Sequence, residues 1–286
     1  MTDEEKVQMQ NTMRTGLLTA YPKIYSGIDY SQEIFYNALS VAQSYGFTFA
    51  PEQFVANMAG EIEGRYKAVS SLLRSKLSKT KKTLVIEFAV GLSPRRLEFA
   101  QVDYLESDFE PMVKMKKQIY KRMGFQKFEK GLFSVDLANT KQLNSFLTKK
   151  ANIENYDQII LITEGLFWYL NKEIITNMTN AFSATLQNKN WLWISADCPT
   201  QDRIEEEYRN VISKSANVKR EKTFSDFEDF STFFENLNFE IIRKKIVDCV
   251  KAKDIHSASL FSISTIEATN RLNKYTDMAI ISPKKK

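Results

Sequence analysis

Apolar residues recur at helical spacing before residue 80, and a different pattern follows. One helix is expected over residues 32–45 and a longer one over residues 52–77. The apolar positions of the longer helix are Phe54, Met58, Ile62, Tyr66, Val69, Leu73 and Leu77. The pattern predicts a helical N-terminal cover over residues 1–80.

From residue 81 onwards, short β-branched and apolar runs alternate with helical stretches. The runs predict strands at residues 83–87, 102–106, 132–136, 158–163, 191–196, 239–247 and 277–282. The stretches predict helices at residues 111–123, 140–149, 172–187, 201–215 and 227–236. Such alternation is typical of a doubly wound α/β fold with a mostly parallel sheet. The sequence therefore predicts an α/β core over residues 81–286, with an inserted helical region near residues 198–236.

The turn after the first predicted strand bears on the ligand that the sheet would bind. Residues Thr83–Glu87 lead through Ala89 to Gly91, and Ser93 with Pro94 can cap and open a helix. A dinucleotide fingerprint needs three glycines here so that a pyrophosphate can approach the backbone. Since this turn has one glycine, the sequence favours an adenosine cofactor without phosphate, such as S-adenosylmethionine.

Composition indicates a folded, enzyme-sized protein and argues against several kinds of site. Hydrophobic residues make up 43% of the 286 residues, which disfavours disorder. The net charge of +5 is spread along the chain without the interleaved aromatics of a nucleic-acid groove. Cys198, Cys249 and the lone His256 lack metal-ligand spacing, so no metal is expected. With no leader and no apolar run of bilayer length, a cytoplasmic protein without a membrane partner is expected.

Acidic residues follow the predicted strands at the edge where the carboxyl ends of a parallel sheet meet. Glu106 and Asp108 close the second strand, Asp136 the third and Glu164 the fourth. A carboxylate after the second strand can accept hydrogen bonds from both ribose hydroxyls of a bound nucleoside. Each acid alone is more often a cap or a surface residue, but their recurrence favours cofactor binding. The aromatic run after Glu164 ends in Tyr169, whose hydroxyl can face an acceptor substrate while its ring packs.

Four short blocks of the sequence match the pattern of one enzyme family. They are Arg65–Ala68, Glu87–Arg95, Tyr104–Asp108 (YLESD) and Thr163–Leu170 (TEGLFWYL). In these blocks the chain resembles the leucine carboxyl methyltransferase and polyketide O-methyltransferase family, a branch of the class I S-adenosylmethionine-dependent methyltransferases. The likeness spans roughly residues 15–200 and implies a seven-stranded, mostly parallel sheet in the order 3-2-1-4-5-7-6.

The resemblance implies roles for residues at the methionine end of the cofactor. Arg65 would bind the methionine carboxylate, and Glu164 would meet the methionine amino group. Tyr169 would face the methyl acceptor. Glu87, the acid that closes the first strand, belongs by the same resemblance to the cofactor site.

Further residues are implied at the adenosine end. Gly91 would line the cofactor, Asp108 would hold the ribose, and Asp136 with Leu137 would flank the adenine. The sequence departs from the family at Ala89, where the family usually has the first glycine of the turn.

These observations predict an S-adenosylmethionine-dependent O-methyltransferase. Methyl transfer depends mainly on positioning and on exclusion of water. A carboxylate acceptor, on a small molecule or at a protein C terminus, is favoured over a phenol because it needs no general base, and no histidine lies near the predicted site. Two alternatives stay open: a nicotinamide-dependent oxidoreductase, disfavoured by the single glycine, and a non-catalytic cofactor-binding protein, supported only by Ala89.

Overall fold

The structure is a computed structural model that describes residues 3–50, 59–199, 223–261, 264, 267 and 276–284, with the backbone alone described at 3–9, 199 and 276. Its strands are β1 (Thr83–Phe88), β2 (Asp103–Asp108), β3 (Leu132–Ser134), β4 (Gln158–Thr163), β5 (Asn190–Pro199), β6 (Phe239–Lys245) and β7 (Thr276–Pro283). They form one seven-stranded sheet in the order β3-β2-β1-β4-β5-β7-β6. Strands β1 to β5 run parallel, and β7 runs antiparallel to β5 and β6. The predicted fold class and strand order are confirmed.

Helices cover the sheet and connect its strands. The α-helices are α1 (Asp3–Ala20), α2 (Ser31–Ser44), α3 (Ala59–Lys76), α4 (Arg95–Glu98), α5 (Glu110–Arg122), α6 (Thr140–Ser145), α7 (Lys172–Leu186), α8 (Phe227–Asn236), α9 (Ile246–Cys249) and α10 (His256–Leu260). Two short 3-10 helices, Tyr21–Tyr25 and Phe167–Tyr169, are important for the site. None of the described helices is both long enough and apolar enough to cross a membrane.

The central strands are buried because both faces of the sheet are covered. Every residue of β1 and β4 is buried, which explains their nearly continuous apolar sequences. One face packs against α6, α7 and α8 through residues such as Phe182 and Phe234. The other face packs against α3 through Val69 and Leu73. The sheet is therefore the middle of three layers, and its carboxyl edge is left to the connecting loops.

The helices that precede residue 80 rest on the α/β core at two places. Helices α1 and α2 share a buried cluster with α5, to which Leu17, Phe35 and Ile119 belong. Helix α3 instead packs directly on the sheet. The division into a cover over residues 1–80 and a core over residues 81–286 stays a prediction.

The third strand is shorter than predicted. Strand β3 ends at Ser134, whereas the sequence suggested an end at Asp136. Just after it, the Ala138 N–H donates to Asp136 Oδ1 at 2.9 Å, and the Asp136 N–H donates to Gln142 Oε1 at 2.9 Å. These side-chain bonds replace strand pairing and turn the chain.

Parts of two other predictions lie outside the described residues. They are the beginning of the long helix, at residues 52–58, and the helix at 201–215 within the insertion near 198–236. The last predicted helix of that insertion is observed as α8.

Candidate functional site

The turn after β1 has two residues in the left-handed conformation, with one residue between them. Ala89 has φ +51° and Gly91 has φ +49°. Between them, the Val90 N–H donates to the Ser107 carbonyl oxygen at 3.1 Å, which fastens the turn to β2. Only glycine adopts such φ values without steric cost. Ala89 thus has a φ value that favours glycine, which adds strain to the turn.

Asp108 links the end of β2 to this turn. Its Oδ2 accepts the Gly91 N–H and its Oδ1 accepts the Phe109 N–H, both at 2.7 Å. Burial raises the pKa of Asp108 above its usual value, although the two backbone donors oppose the shift. Each oxygen has a second lone pair available for a ligand. The predicted contact with ribose stays a prediction.

Glu106, two residues before Asp108, is buried, and both of its carboxylate oxygens are already hydrogen-bonded. It is 1% exposed, and it accepts from Lys116 Nζ and from the Tyr120 hydroxyl, each at 2.7 Å. Of the two acids that close β2, Asp108 is therefore the one that remains available to a ligand.

Glu164, just after β4, lies between two arginines from distant parts of the chain. Its Oε1 accepts from Arg65 Nε of α3 at 3.0 Å, and its Oε2 accepts from Arg95 Nη2 of α4 at 2.6 Å. Burial by itself would raise the pKa of Glu164, but the charges of Arg95, Arg65 and Lys23 outweigh it and lower the pKa to about 2. The carboxylate is consequently ionised throughout the physiological range.

Glu87, in β1, is the second carboxylate that bonds to Arg95. One of its oxygens accepts from Arg95 Nη1 and the other accepts from the Tyr104 hydroxyl at 2.6 Å. The residue is 2% exposed. Burial raises the pKa of Glu87, with Arg95 and Lys116 acting in the opposite direction. Glu87 therefore fixes the position of the Arg95 guanidinium. A direct contact between Glu87 and a ligand would require one of these hydrogen bonds to be broken.

Lys23, which the sequence analysis did not single out, joins the cluster from the N-terminal cover. The 3-10 helix Tyr21–Tyr25 places its ammonium 5.7 Å from the centre of the Tyr66 ring. The residue is 8% exposed, and the structure gives its ammonium no hydrogen bond or ion pair with another described residue. Burial lowers its pKa to about 8, partly offset by Glu164. No spacing or motif distinguishes this lysine from the other basic residues of the chain.

Three cations and two carboxylates therefore meet at this end of the sheet. Lys23, Arg65 and Arg95 face Glu164 and Glu87. The positive excess favours an anion, while the ionised Glu164 favours a cation next to it. Within the described part of the chain, no group of histidines, cysteines or acids could hold a metal ion.

Tyr169 lies in the 3-10 helix that follows Glu164, and Asp197 holds the start of that segment. The Asp197 carboxylate, at the end of β5, accepts from the backbone N–H groups of Leu166 and Phe167. Thr223 closes the other side, since its hydroxyl donates to the Phe167 carbonyl oxygen at 3.0 Å. Tyr169 is half-buried, in agreement with a ring that packs. Its predicted contact with an acceptor stays a prediction.

The loop after β3 carries the two residues predicted to flank the adenine. Leu137 is buried, and Asp136 is partly exposed, with one oxygen engaged in the local turn described above. Both follow the end of β3, the strand next to β2. Their predicted contacts with adenine stay predictions.

Comparisons with known proteins agree with the fold and leave the family open. No protein-family model matches the chain. A stretch of 133 residues, 46% of this chain, is 30% identical to an isoleucine–tRNA ligase from Ehrlichia canis. That match covers only 11% of the ligase, so it does not show that the two proteins share a family or an activity.

Solved structures give a fold-level likeness. A DUF574 family protein from Streptomyces avermitilis is 13% identical and aligns over 94% of this chain and 96% of its own, with a TM-score of 0.54. A magnesium protoporphyrin IX methyltransferase from Synechocystis, solved with bound SAH, is also 13% identical over 75% of this chain and 91% of its own, at a TM-score of 0.42. With its low TM-score, the second alignment supports no conclusion about this chain. The sheet order and the first alignment together define the Rossmann-like α/β fold of class I methyltransferases.

Proposed function

We propose that the protein is an S-adenosylmethionine-dependent O-methyltransferase that methylates a carboxylate. The observation that carries the proposal is the Arg65–Glu164 ion pair, together with Lys23, whose charge also lowers the pKa of Glu164. An amino acid zwitterion complements such a cluster, because its ammonium can approach Glu164 while its carboxylate approaches Arg65 and Lys23. S-Adenosylmethionine has this zwitterion, whereas a nicotinamide dinucleotide has no α-amino acid group.

The other end of the cofactor fits the opposite half of the sheet edge. The turn at Gly91 and the carboxylate of Asp108 would hold the ribose, while Leu137 and Asp136 would flank the adenine. Phe109, half-exposed immediately after Asp108, adds an apolar surface for the base. A sulfonium cofactor carries no phosphate, which agrees with a turn that has alanine at one of its two left-handed positions.

The reaction places few demands on side-chain chemistry. S-Adenosylmethionine would supply an activated methyl group: an acceptor oxygen forms the new bond to carbon, and the carbon–sulfur bond breaks with its electron pair left on sulfur. A carboxylate loses no proton in this step, so no general base is required. The chain has one histidine, His256, and its described hydrogen bond is the backbone one from its N–H to Glu63 Oε1 at 3.0 Å. A small-molecule carboxylate or a protein C terminus is therefore the proposed acceptor.

Calorimetric titration with S-adenosylhomocysteine and, separately, with NAD tests the cofactor. We expect binding of S-adenosylhomocysteine and no comparable binding of NAD. Preferential binding of NAD would refute the proposal in favour of an oxidoreductase.

Turnover with labelled S-adenosylmethionine and a panel of carboxylic acids and phenols tests the reaction. We expect base-labile methyl esters as products. Tyr169→Phe should keep the affinity for S-adenosylhomocysteine and lower kcat or raise the apparent KM for the acceptor, because the hydroxyl is assigned to the acceptor. Binding of the cofactor without turnover on any acceptor would support a non-catalytic role instead.

A further inference from the structure

Arg95 is a fully buried cation that joins two strand ends. It is 0% exposed, and its guanidinium bonds to Glu87 on one side and to Glu164 Oε2 on the other. The ring of Tyr66 lies 4.5 Å from the guanidinium carbon. A planar guanidinium with two donating edges is the side chain best suited to fix two carboxylates at once.

We propose that Arg95 is a positioning residue, which holds the Glu164 carboxylate in the place and orientation where it receives the ammonium of the cofactor's methionine part. The proposal rests on the function proposed above. It adds a role for a residue that is 0% exposed and would therefore act on the cofactor through Glu164.

The three cations of the cluster differ in exposure, and this difference supports a positioning role for Arg95. The Arg65 side chain is 23% exposed and Lys23 keeps 8% of its surface exposed, so either cation would be able to approach the carboxylate of a ligand. Arg95 has no exposed surface and already bonds Glu87, so it stays with Glu164 whether or not a ligand is bound. Among the described residues, the cations left to keep Glu164 ionised and oriented without Arg95 would be Arg65 and Lys23, which a ligand would share.

Removal of Arg95 should therefore make cofactor binding depend on pH. Among the described residues, the charged groups around Glu164 besides Arg95 are Arg65 from α3, Lys23 from the N-terminal 3-10 helix, and Glu87 from β1, which pairs with Arg95. The carboxylate of Asp197 in β5 accepts from the backbone N–H groups of the turn that follows Glu164. Burial raises the pKa of Glu164, and the positive charges around it lower that pKa. If the Arg95 charge is lost, the lowering effect becomes smaller and the pKa of Glu164 rises. As the pH falls, Glu164 then takes up a proton and no longer attracts the ammonium of the ligand.

The test is calorimetric titration of Arg95→Met with S-adenosylhomocysteine at about pH 7 and at about pH 5.5. Both pH values lie below the pKa of Lys23, about 8, so Lys23 stays charged in both titrations. We expect affinity to fall roughly tenfold or more at the higher pH, and about threefold or more again at the lower pH. The unaltered protein should show nearly equal affinity at the two pH values. Arg96→Met is the matched control, because Arg96 is the next residue of α4 and bonds only to the carbonyl oxygens of Phe99 and Val102 among its described hydrogen bonds.

Two further variants separate positioning from folding. Glu87→Gln/Arg95→Met removes the buried charge that Arg95→Met leaves behind, and it should show the same pH dependence. Arg95→Lys keeps the cation and should restore a flat pH profile, although with weaker binding because one edge of the guanidinium is lost. Near-wild-type affinity at both pH values in the double variant would overturn the positioning role. Failure of the unaltered protein to bind S-adenosylhomocysteine would overturn the proposed function itself.

Discussion

Asp108 and Glu164 occupy equivalent places, at or just after the carboxyl ends of two parallel strands, yet they are stabilised in opposite ways. Asp108 accepts from two backbone N–H groups, and burial raises its pKa. Glu164 accepts from two arginine side chains, and the surrounding cations lower its pKa to about 2. The two ends of the candidate site therefore have different electrostatic character, one set by neutral dipoles and the other by full charges.

This difference matches the two ends of the proposed cofactor. Ribose hydroxyls are neutral donors, which a carboxylate held by backbone groups can accept without a compensating cation. An amino acid zwitterion carries two full charges, which only a site with charges of both signs can complement. The contrast can be tested at each end separately.

The largest effect is expected for stability when the charged end is altered. Glu164→Gln removes the counter-charge that Arg65 and Arg95 share, at a side chain that is 10% exposed, and leaves Arg95 with the Glu87 ion pair. Breaking a buried pair in this way costs about 3–5 kcal/mol of the free energy of unfolding. Asp108→Asn loses one backbone hydrogen bond and removes a buried charge, so it should cost about 1 kcal/mol or less. Urea unfolding of both variants at about pH 7 measures the difference.

The pH dependence provides the control for that comparison. The folded pKa of Glu164, about 2, is below the unfolded value of about 4.3. Its contribution is therefore complete above about pH 4.3 and is lost as the pH falls towards 2. The gap in stability between Glu164→Gln and the unaltered protein should narrow at about pH 3. A constant gap down to that pH would mean that the ion pairs are not its source.

A smaller effect is expected on cofactor affinity when one cation is removed. Arg65→Ala should weaken S-adenosylhomocysteine binding by about 1.5–3 kcal/mol, the range for a charge-assisted hydrogen bond. Asp108→Ala should have a similar effect through the ribose hydroxyls. Arg74→Ala is the control, since Arg74 lies on the same helix and pairs with Glu98. Equal losses in Arg65→Ala and Arg74→Ala, measured by calorimetry, would contradict the assignment of Arg65.

Local patterns are sufficient to predict the alternating α/β core and the strand-end acids, whereas the order of the strands followed from the family resemblance. Strand β4 was predicted with its observed bounds, because an uninterrupted apolar run between turns has few alternatives. Asp108 and Glu164 were found because each follows such a run. Boundaries were less certain where side chains intervene, as at Asp136, whose local hydrogen bonds end β3 early.

The charged network could not be predicted in the same way. Arg95 meets Glu164 across 69 positions of the sequence, and Lys23 reaches the cluster from the N-terminal cover. Neither spacing nor composition separates them from the other 38 lysines and arginines of the chain, since it has 40 in all. Their roles depend on burial, which is a property of the assembled layers.

The smallest effect is expected in the turn after β1, where Gly91 can be replaced by alanine and Ala89 by glycine. An added Cβ at Gly91 would meet no atom within 4 Å, so Gly91→Ala should cost the backbone strain of about 1–2 kcal/mol, offset by about 0.4–1 kcal/mol because the unfolded chain loses freedom. Ala89→Gly should relieve similar strain, but the unfolded chain gains freedom worth about 0.4–1 kcal/mol, which leaves a net gain of about 1 kcal/mol or less. Urea unfolding measures both changes. Because the path of the turn is the same in either case, Ala89→Gly should leave S-adenosylhomocysteine affinity unchanged. A marked increase in affinity would mean instead that the Ala89 methyl group narrows the cofactor site.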